Sequence, residues 1–344
     1  MPKVLGSSEV PTRYLSPGDT EINAIDPSVK YDDDGSLWMT FGSWFGGLWA
    51  LKLDASTGLR DYTTTYETAK DETDQYYGIK IAGGHGNSGE GSYIMKQGDY
   101  WYLFVSYGAL QQQGGYQIRE FRSKNITGPY VDEDGNNAVS TETIGSNWTL
   151  KTGIRLMGSV EWSGNDNANI EVAQGHNSAF VDEDGTAYVV YHTRFSNRNE
   201  EHEVRVRELL TTADGWLAAA PYEYTGVKAN AKGYQESQLT GEYEFVVHDP
   251  TTFFQGSNGT AKDGKYPYKG VDEPITIKLE SGGKVSGDKT GTWSFNKDSN
   301  QMTITIDGTE YQGDFAQLPR ETDLKSVMTF TAIGGNTCVW GSQV

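Results

Sequence analysis

The chain has 344 residues, of which 47 are acidic and 28 are basic, so its formal net charge is −19 at pH 7. This acidity argues against nucleic acid and anionic membrane surfaces as partners, since both are bound by basic faces, while a neutral polysaccharide is compatible with it. The single cysteine, Cys338, excludes an internal disulfide framework and a thiolate-rich metal site, and no apolar run approaches the ~20 residues of a membrane span.

Glycine and aromatic residues are both frequent in the chain. It has 42 glycines but only 10 prolines, and aromatic residues make up 12% of it. Long helical stretches rich in Ala, Leu, Glu and Lys are missing. This composition predicts an all-β protein of short strands joined by tight turns, and the length suggests roughly two domains.

Three segments share one plan, in which an ionisable residue leads an apolar strand, a tight turn and an aromatic-rich strand. The lead residues are Asp26, Glu90 and His176, and further strand-like sequence follows each segment. Repeated units of about four short strands with variable loops fit the blades of a β-propeller. Because the inner strands of a propeller surround its axis, we expect the three lead residues to converge on one small volume.

Three acidic turns, at 32–35, 132–135 and 182–185, resemble calcium-binding loops. None of them has the full Asp-x-Asp-x-Asp-Gly spacing with a following Glu that such a loop needs. We therefore predict ordinary turns at these positions.

The sequence pattern changes near residue 237. Beyond it, short runs of period-2 alternation are separated by turns such as 281–283 and 307–308, which predicts a small antiparallel β-barrel or sandwich. The sequence of this part has no clustered acids or histidines, so we expect an ancillary role for it. The predicted domains are a partial propeller over 1–236 and a C-terminal barrel domain over 237–344.

Asp26 and Glu90 are the first candidates for catalysis. An isolated acid at a strand end is usually a cap or an ion-pair partner, but each of these two leads a repeat. Small residues flank both acids and leave room for a substrate. A lone histidine is more often structural than functional, and the matching repeat position favours a functional role for His176. We predict structural roles for His85 and His192, which lack that support.

Two aromatic residues form a second group of candidates. Trp44 and Phe45 lie between glycines, in Phe41-Gly-Ser-Trp-Phe-Gly-Gly47. Exposed aromatic rings next to glycine suit stacking on sugar rings, and packing in the core is the alternative.

Several motifs resemble those of glycoside hydrolase family 43 arabinanases of the two-domain type. They are Asn23-Ala-Ile-Asp-Pro27, Gly89-Glu-Gly-Ser-Tyr-Ile94 and Gly175-His-Asn-Ser178, with Gly241-Glu-Tyr-Glu-Phe245 and Cys338-Val-Trp-Gly-Ser342 in the C-terminal part. The resemblance covers nearly the whole chain. It implies a five-bladed β-propeller that hydrolyses α-1,5-linked arabinan with inversion, followed by a small β-domain.

The resemblance also implies a role for each candidate. Glu90 would be the general acid, Asp26 would tune and orient it, and His176 would face a central metal, usually calcium, held largely by water. Apart from the resemblance, we expect Asn23, Trp44 and Phe45 to contact the substrate. An inverting enzyme also needs a base that activates water, with the two carboxylates roughly 6.5–9.5 Å apart.

This chain departs from the family pattern in the position of the general base. It is an Asp on the first blade, well upstream of the motif that contains Asp26, and only 25 residues precede Asp26 here. We therefore expect about three of the five blades in this chain, and an N-terminal propeller fragment or subunit that carries the base. Three blades cannot close a ring, and their open sides would present unpaired edges.

Two other functions remain open from the sequence. One is an exo-acting arabinanase or arabinofuranosidase of the same family, and the other is a non-catalytic arabinan-binding protein. Because arabinan is too large to enter a cell, we expect the protein to be secreted.

Overall fold

The computed structural model describes residues 2–11, 14, 22–143, 152–164, 170–196, 198–230, 232–249 and 270–344. Within these residues the protein consists of 21 strands, two one-turn α-helices and a 3₁₀ helix, so the all-β prediction is confirmed. The chain divides into two compact units. The first comprises residues 1–109 and 118–153, and the second comprises residues 110–117 and 154–344.

The first unit begins with helix α1 and a five-stranded antiparallel sheet in the order β1-β2-β3-β5-β4. The bounds are α1 Pro2–Leu5, β1 Ser28–Tyr31, β2 Leu37–Phe41, β3 Leu48–Leu53, β4 Thr73–Asp74 and β5 Gly78–Ala82. The hairpin β1–β2 is the predicted hairpin of the first repeat. Its turn begins at Asp32, whose amide donates to the carbonyl of Ser36 at 2.8 Å, so an ordinary turn is confirmed here.

The second repeat forms a further antiparallel hairpin of the first unit, followed by a third strand. The strands are β6 Glu90–Gln97, β7 Tyr100–Tyr107 and β8 Gln117–Ser123. The register pairs Gln97 with Tyr100 across the predicted turn. The apolar side of this hairpin packs into a core with β3 and β5 that contains Leu48, Ile81 and Leu103.

The third repeat forms a four-stranded sheet of the second unit, in the order β10-β11-β12-β13. This unit also contains the 3₁₀ helix Gln112–Gly114 and the short strand β9, Ile154–Arg155. The sheet strands are β10 Glu171–Val181, β11 Ala187–Phe195, β12 His202–Thr211 and β13 Leu217–Ala219. The three hairpins thus lie where the repeats predict them.

After helix α2, Glu236–Leu239, eight strands form a closed antiparallel barrel. Each strand pairs with the next in sequence, and the first pairs with the last, β14 with β21. The strands are β14 Gly241–His248, β15 Ile275–Glu280, β16 Lys284–Gly287, β17 Gly291–Phe295, β18 Gln301–Ile306, β19 Thr309–Pro319, β20 Ser326–Gly334 and β21 Thr337–Gln343. A barrel was one of the two predicted forms, and it is confirmed; the predicted boundary at 236/237 stays a prediction.

Large apolar side chains make the core of the barrel. Phe245, Ile277, Phe315 and Phe330 are all at most 1% exposed. They come from β14, β15, β19 and β20, whose inward-pointing side chains meet in the barrel interior.

A buried arginine connects the barrel to the third sheet within the second unit. The Nη2 atom of Arg207 on β12 lies 3.3 Å from Glu171 Oε1 and 3.3 Å from Glu321 Oε1 in the β19–β20 connection. Its Nε donates to the hydroxyl of Tyr191 at 2.7 Å, and that hydroxyl donates to Glu171 Oε2 at 2.9 Å. A charge taken out of water is tolerated when its hydrogen-bonding groups are satisfied in this way.

The outer face of the barrel carries a buried polar row. Asp314, Thr331 and Trp340 are cross-strand neighbours on β19, β20 and β21, and the Trp340 indole donates to the carbonyl of Ala219 on β13 at 2.8 Å. Asp314 is 2% exposed, and its Oδ2 has no hydrogen-bond partner in the described part of the chain. Burial raises the pKa of Asp314 to about 7.

We predict that Asp314→Asn removes one pH dependence of stability. The folded state keeps the Asp314 proton up to about pH 7, whereas the unfolded chain releases it near pH 4. The free energy of unfolding therefore falls as the pH rises from about 4 to about 7, by about 4 kcal/mol at most. The full decrease is reached above pH 7. The variant should match the wild type near pH 4 and exceed it in free energy of unfolding at pH 8.

Urea unfolding at a series of pH values measures this difference. Asp298→Asn, at an exposed position of the barrel, is the matched control and should leave the curve unchanged. A difference between Asp314→Asn and wild type that does not grow with pH would contradict the assignment.

Candidate active site

The connection from β2 to β3 has an unusual backbone. Trp44 and Phe45 both have positive φ angles, 55° and 34°, which side chains other than glycine rarely adopt. The amide of Trp44 donates to the carbonyl of Gly89 at 2.7 Å, next to Glu90. Strained backbone of this kind persists only where the surroundings hold it, and it is concentrated at functional sites.

Glu90 is the first residue of β6 and lies at a β-bulge. The pairing with β7 shifts register between Glu90 and Tyr93, and Gly91 has a φ of 60°. A bulge turns a side chain away from the regular alternation of the strand. It therefore explains how a strand residue of a packed hairpin presents its carboxylate at the strand end, where the side chain is half-buried.

Two neutral donors from the β2–β3 connection hold the carboxylate of Glu90. The hydroxyl of Ser43 donates to Oε2 at 3.2 Å, and the indole of Trp44 donates to the same oxygen at 3.1 Å. Because the donors come from a backbone that is itself fixed, the carboxylate has a defined orientation. With its backbone in the left-handed conformation, Trp44 places its indole within hydrogen-bonding distance of Glu90.

Asp26 lies beside Glu90 and also has a left-handed backbone, with a φ of 54°. Its Oδ2 accepts a long hydrogen bond, 3.4 Å, from the amide of Gly91. Asn23 of the same motif donates its side-chain amide to the carbonyl of Ser43 at 3.0 Å. The structure therefore brings the predicted residues Asn23, Asp26 and Glu90 together around one loop of the first unit.

The two aromatic candidates differ in their exposure and in their contacts. Trp44 is half-buried and serves as a hydrogen-bond donor to Glu90, whereas Phe45 is 39% exposed. Of the two rings, Phe45 is the one that offers an exposed apolar face. Sequence reasoning did not single out Ser43, although its place between Gly42 and Trp44 in the same motif was a usable signal.

His176 belongs to the second unit. It is exposed, has a φ of 47° and follows a register shift at Gly175 in β10, so its backbone is irregular like that of Glu90. Gly175 has no space for a side chain, because a Cβ there would collide with the ring of Tyr116. Tyr116 in turn stacks on His192, with ring centroids 5.7 Å apart.

Among the described residues, His176 has no cluster of acidic or histidine side chains around it that could hold a metal ion. Calcium takes about six to eight oxygen ligands, and in the described ranges no three His, Cys, Asp or Glu side chains lie close enough to hold a metal ion. A single imidazole does not match that preference. The calcium ion expected near His176 therefore stays a prediction, and no step below depends on it.

Two family models match the chain. The model of glycosyl hydrolases family 43 matches residues 4–217. A model of a C-terminal lipocalin-like domain matches residues 221–341, the part that contains the closed barrel.

The chain is similar over most of its length to two curated proteins. It is 36% identical to an extracellular endo-alpha-(1->5)-L-arabinanase of Bacillus subtilis, over 93% of the chain, and 36% identical to another of Thermotoga petrophila, over 94%. The chain spans 64% of the length of each of these relatives.

Solved structures give the same result. A family 43 glycoside hydrolase from Bacillus licheniformis superimposes with a TM-score of 0.80 at 35% identity, covering 94% of this chain and 68% of that one. The endo-1,5-alpha-L-arabinanase of Thermotoga petrophila gives a TM-score of 0.80 at 34% identity, with the same coverage.

We predict that Gly47→Ala destabilises the loop that holds Glu90. Gly47 has a φ of 88°, and a Cβ there would lie 2.6 Å from the carbonyl oxygen of Ala82. Strain and collision together should lower the free energy of unfolding by roughly 2–4 kcal/mol. Gly35→Ala is the control, because Gly35 has a similar φ of 83° with no described atom within 4 Å of its Cβ position. Denaturant unfolding should show a clearly smaller loss for the control, and equal losses would contradict the collision.

Proposed function

This chain belongs to glycosyl hydrolase family 43, and we propose that it supplies the general acid of an inverting endo-1,5-α-L-arabinanase. The observation that carries the proposal is the carboxylate of Glu90, oriented by Ser43 and Trp44 beside Asp26. The two relatives named endo-alpha-(1->5)-L-arabinanases support arabinan as the substrate. A chain of α-1,5-linked arabinose is neutral, which agrees with the net charge of −19.

In this proposal Glu90 donates its proton to the glycosidic oxygen. Its Oε2 accepts the bonds from Ser43 and Trp44, so we assign the transferred proton to Oε1. As the bond between the anomeric carbon and that oxygen breaks, the leaving chain keeps the electron pair and gains the proton. A base opposite Glu90 removes a proton from water, which attacks the other face of the sugar and inverts the anomeric centre.

Asp26 acts as a positioning residue in this scheme. It accepts from the amide of Gly91 and therefore fixes the backbone that immediately follows Glu90. Phe45 offers its exposed ring to the sugar, and Asn23 supports the loop through Ser43.

Other parts of the scheme stay predictions. They are the five-bladed ring with about three blades in this chain, the N-terminal fragment or subunit with the base, the calcium ion near His176, and secretion. Secretion is supported by the relatives named extracellular. No helix in the described part of the chain is long and apolar enough to cross a membrane.

We predict that Glu90→Gln lowers the rate of arabinan hydrolysis by about 10²–10⁴-fold, the usual contribution of a general acid. Reducing-end release from linear arabinan measures this rate. An aryl arabinoside with a dinitrophenolate leaving group needs little protonation, so its hydrolysis should fall much less. Glu67→Gln, at an exposed position of the same unit, is the control and should match the wild type.

The outcomes separate the candidate functions. Full activity of Glu90→Gln on arabinan would refute the assignment of the acid. A ladder of oligosaccharide products indicates endo action, and arabinose alone indicates exo action. Binding of arabinan without any new reducing ends, even after the N-terminal fragment or subunit is supplied, would indicate a non-catalytic binding protein.

The predicted N-terminal fragment or subunit is tested by mass. We expect the native mass to exceed the denatured mass of the 37.9 kDa chain, with a second polypeptide in equal amount. Native mass spectrometry beside denaturing mass spectrometry makes the comparison. A monomeric species of 37.9 kDa that is folded and hydrolyses arabinan alone would contradict the prediction.

A further inference from the structure

A cavity of about 500 Å³ lies in the second unit. None of its described lining residues is a catalytic candidate named above. The segment around the 3₁₀ helix forms one wall, and the end of β11 with the following turn forms the other. The lining residues within the described part of the chain are all polar: Gln111, Gln112, Gln113, Arg194, Ser196, Asn199 and Glu200.

Arg194 is the basic residue among the described lining residues of this cavity. It is 9% exposed, and its Nη1 lies 3.4 Å from Glu200 Oε2. Its buried Nε has no hydrogen-bond partner in the part of the chain that the structure describes. A buried donor without a partner is unfavourable and rare. The side chain that carries it lines the cavity, so its guanidinium is the cationic donor that a ligand there would meet.

The walls of the cavity are held in a strained conformation. Gln111, Asn199 and Glu200 have φ angles of 97°, 50° and 53°. Glu200 fixes the two walls against each other, because its Oε2 also accepts from the backbone amide of Gln112 at 3.1 Å. The polar side chains are thus set in place by the backbone, as a preorganised binding site requires.

The lining selects the chemical class of the ligand. Side-chain amides and hydroxyls both donate and accept, which matches the paired hydroxyls of a sugar. An anion would meet Glu200 and the field of a chain with a net charge of −19, and an apolar ligand would find no apolar side chain among the described lining residues. A neutral polyhydroxylated ligand agrees with the amide and hydroxyl groups of the lining, with the negative charges, and with the polar character of the described lining residues.

We propose that this cavity is a saccharide-binding subsite that takes part of a neutral oligosaccharide chain, with Arg194 donating to a sugar oxygen. That the sugar is arabinose rests on the proposed function, whereas the saccharide class rests on the lining alone.

The test compares two arginines of the same turn region. Arg194→Met removes the cavity donor at similar volume. Arg198→Met is the matched control, because Arg198 pairs with Glu201 and Glu203 and does not line the cavity. Titration calorimetry with linear arabinopentaose, on protein that carries Glu90→Gln to prevent turnover and keeps any co-purifying polypeptide, measures the Kd.

We expect Arg194→Met to raise the Kd about tenfold, the loss of one hydrogen bond to a charged donor, and Arg198→Met to leave it unchanged. Because Arg194 is buried, a second variant, Gln111→Ala with Gln113→Ala, changes only exposed side chains. It should also weaken binding, with an unchanged circular dichroism spectrum.

The outcomes distinguish this proposal from the proposed function. If arabinan is hydrolysed but neither variant changes the Kd, the subsite is refuted and the function stands. If arabinan is not hydrolysed but both variants weaken binding of arabino-, xylo- or galacto-oligosaccharides, the subsite stands and the function fails. Preferential binding of oligogalacturonate, an anionic chain, would refute the subsite.

Discussion

The buried guanidinium of Arg207 joins three segments of the second unit. A charge out of water requires partners in fixed places, and here Glu171, Tyr191 and Glu321 supply them from three separate segments. Two of these segments, β10 and β11, form the hairpin of the third repeat, and the third joins two barrel strands. The head of β10, which leads to His176, is therefore fixed by the same ion cluster that secures the barrel to this sheet.

The first unit holds its important carboxylate in a different way. Glu171 is fixed by a cation, whereas the contacts of Glu90 include two neutral donors, Ser43 and Trp44. A cation brings a full charge to the contact, whereas neutral donors bring only their dipoles. Neutral donors give orientation at a smaller electrostatic cost. The two glutamates thus differ in the partners that fix their carboxylates.

Much of this fold could be predicted because its signals are local. Period-2 alternation with Asp and Gly at turns such as 32–35 predicts a hairpin whatever surrounds it. Closure of the barrel was harder to predict from the sequence, because β19 contains Gly313 and the buried Asp314 and therefore lacks a clean alternation. The roles within the candidate site were also hidden. Nothing in the sequence shows that Trp44 adopts a left-handed backbone, so its function as a donor to Glu90 emerged only in three dimensions.

The contact between Gly175 and Tyr116 has an evolutionary consequence. The ring of Tyr116 occupies the space that a side chain at position 175 would need, so the two positions cannot vary independently. A lineage that replaces Gly175 must first, or simultaneously, accept a smaller residue at 116 and lose the stack on His192. Among relatives these two positions should therefore covary. Along the branches of a phylogeny, the change to a small residue at 116 should come before, or together with, the gain of a side chain at 175.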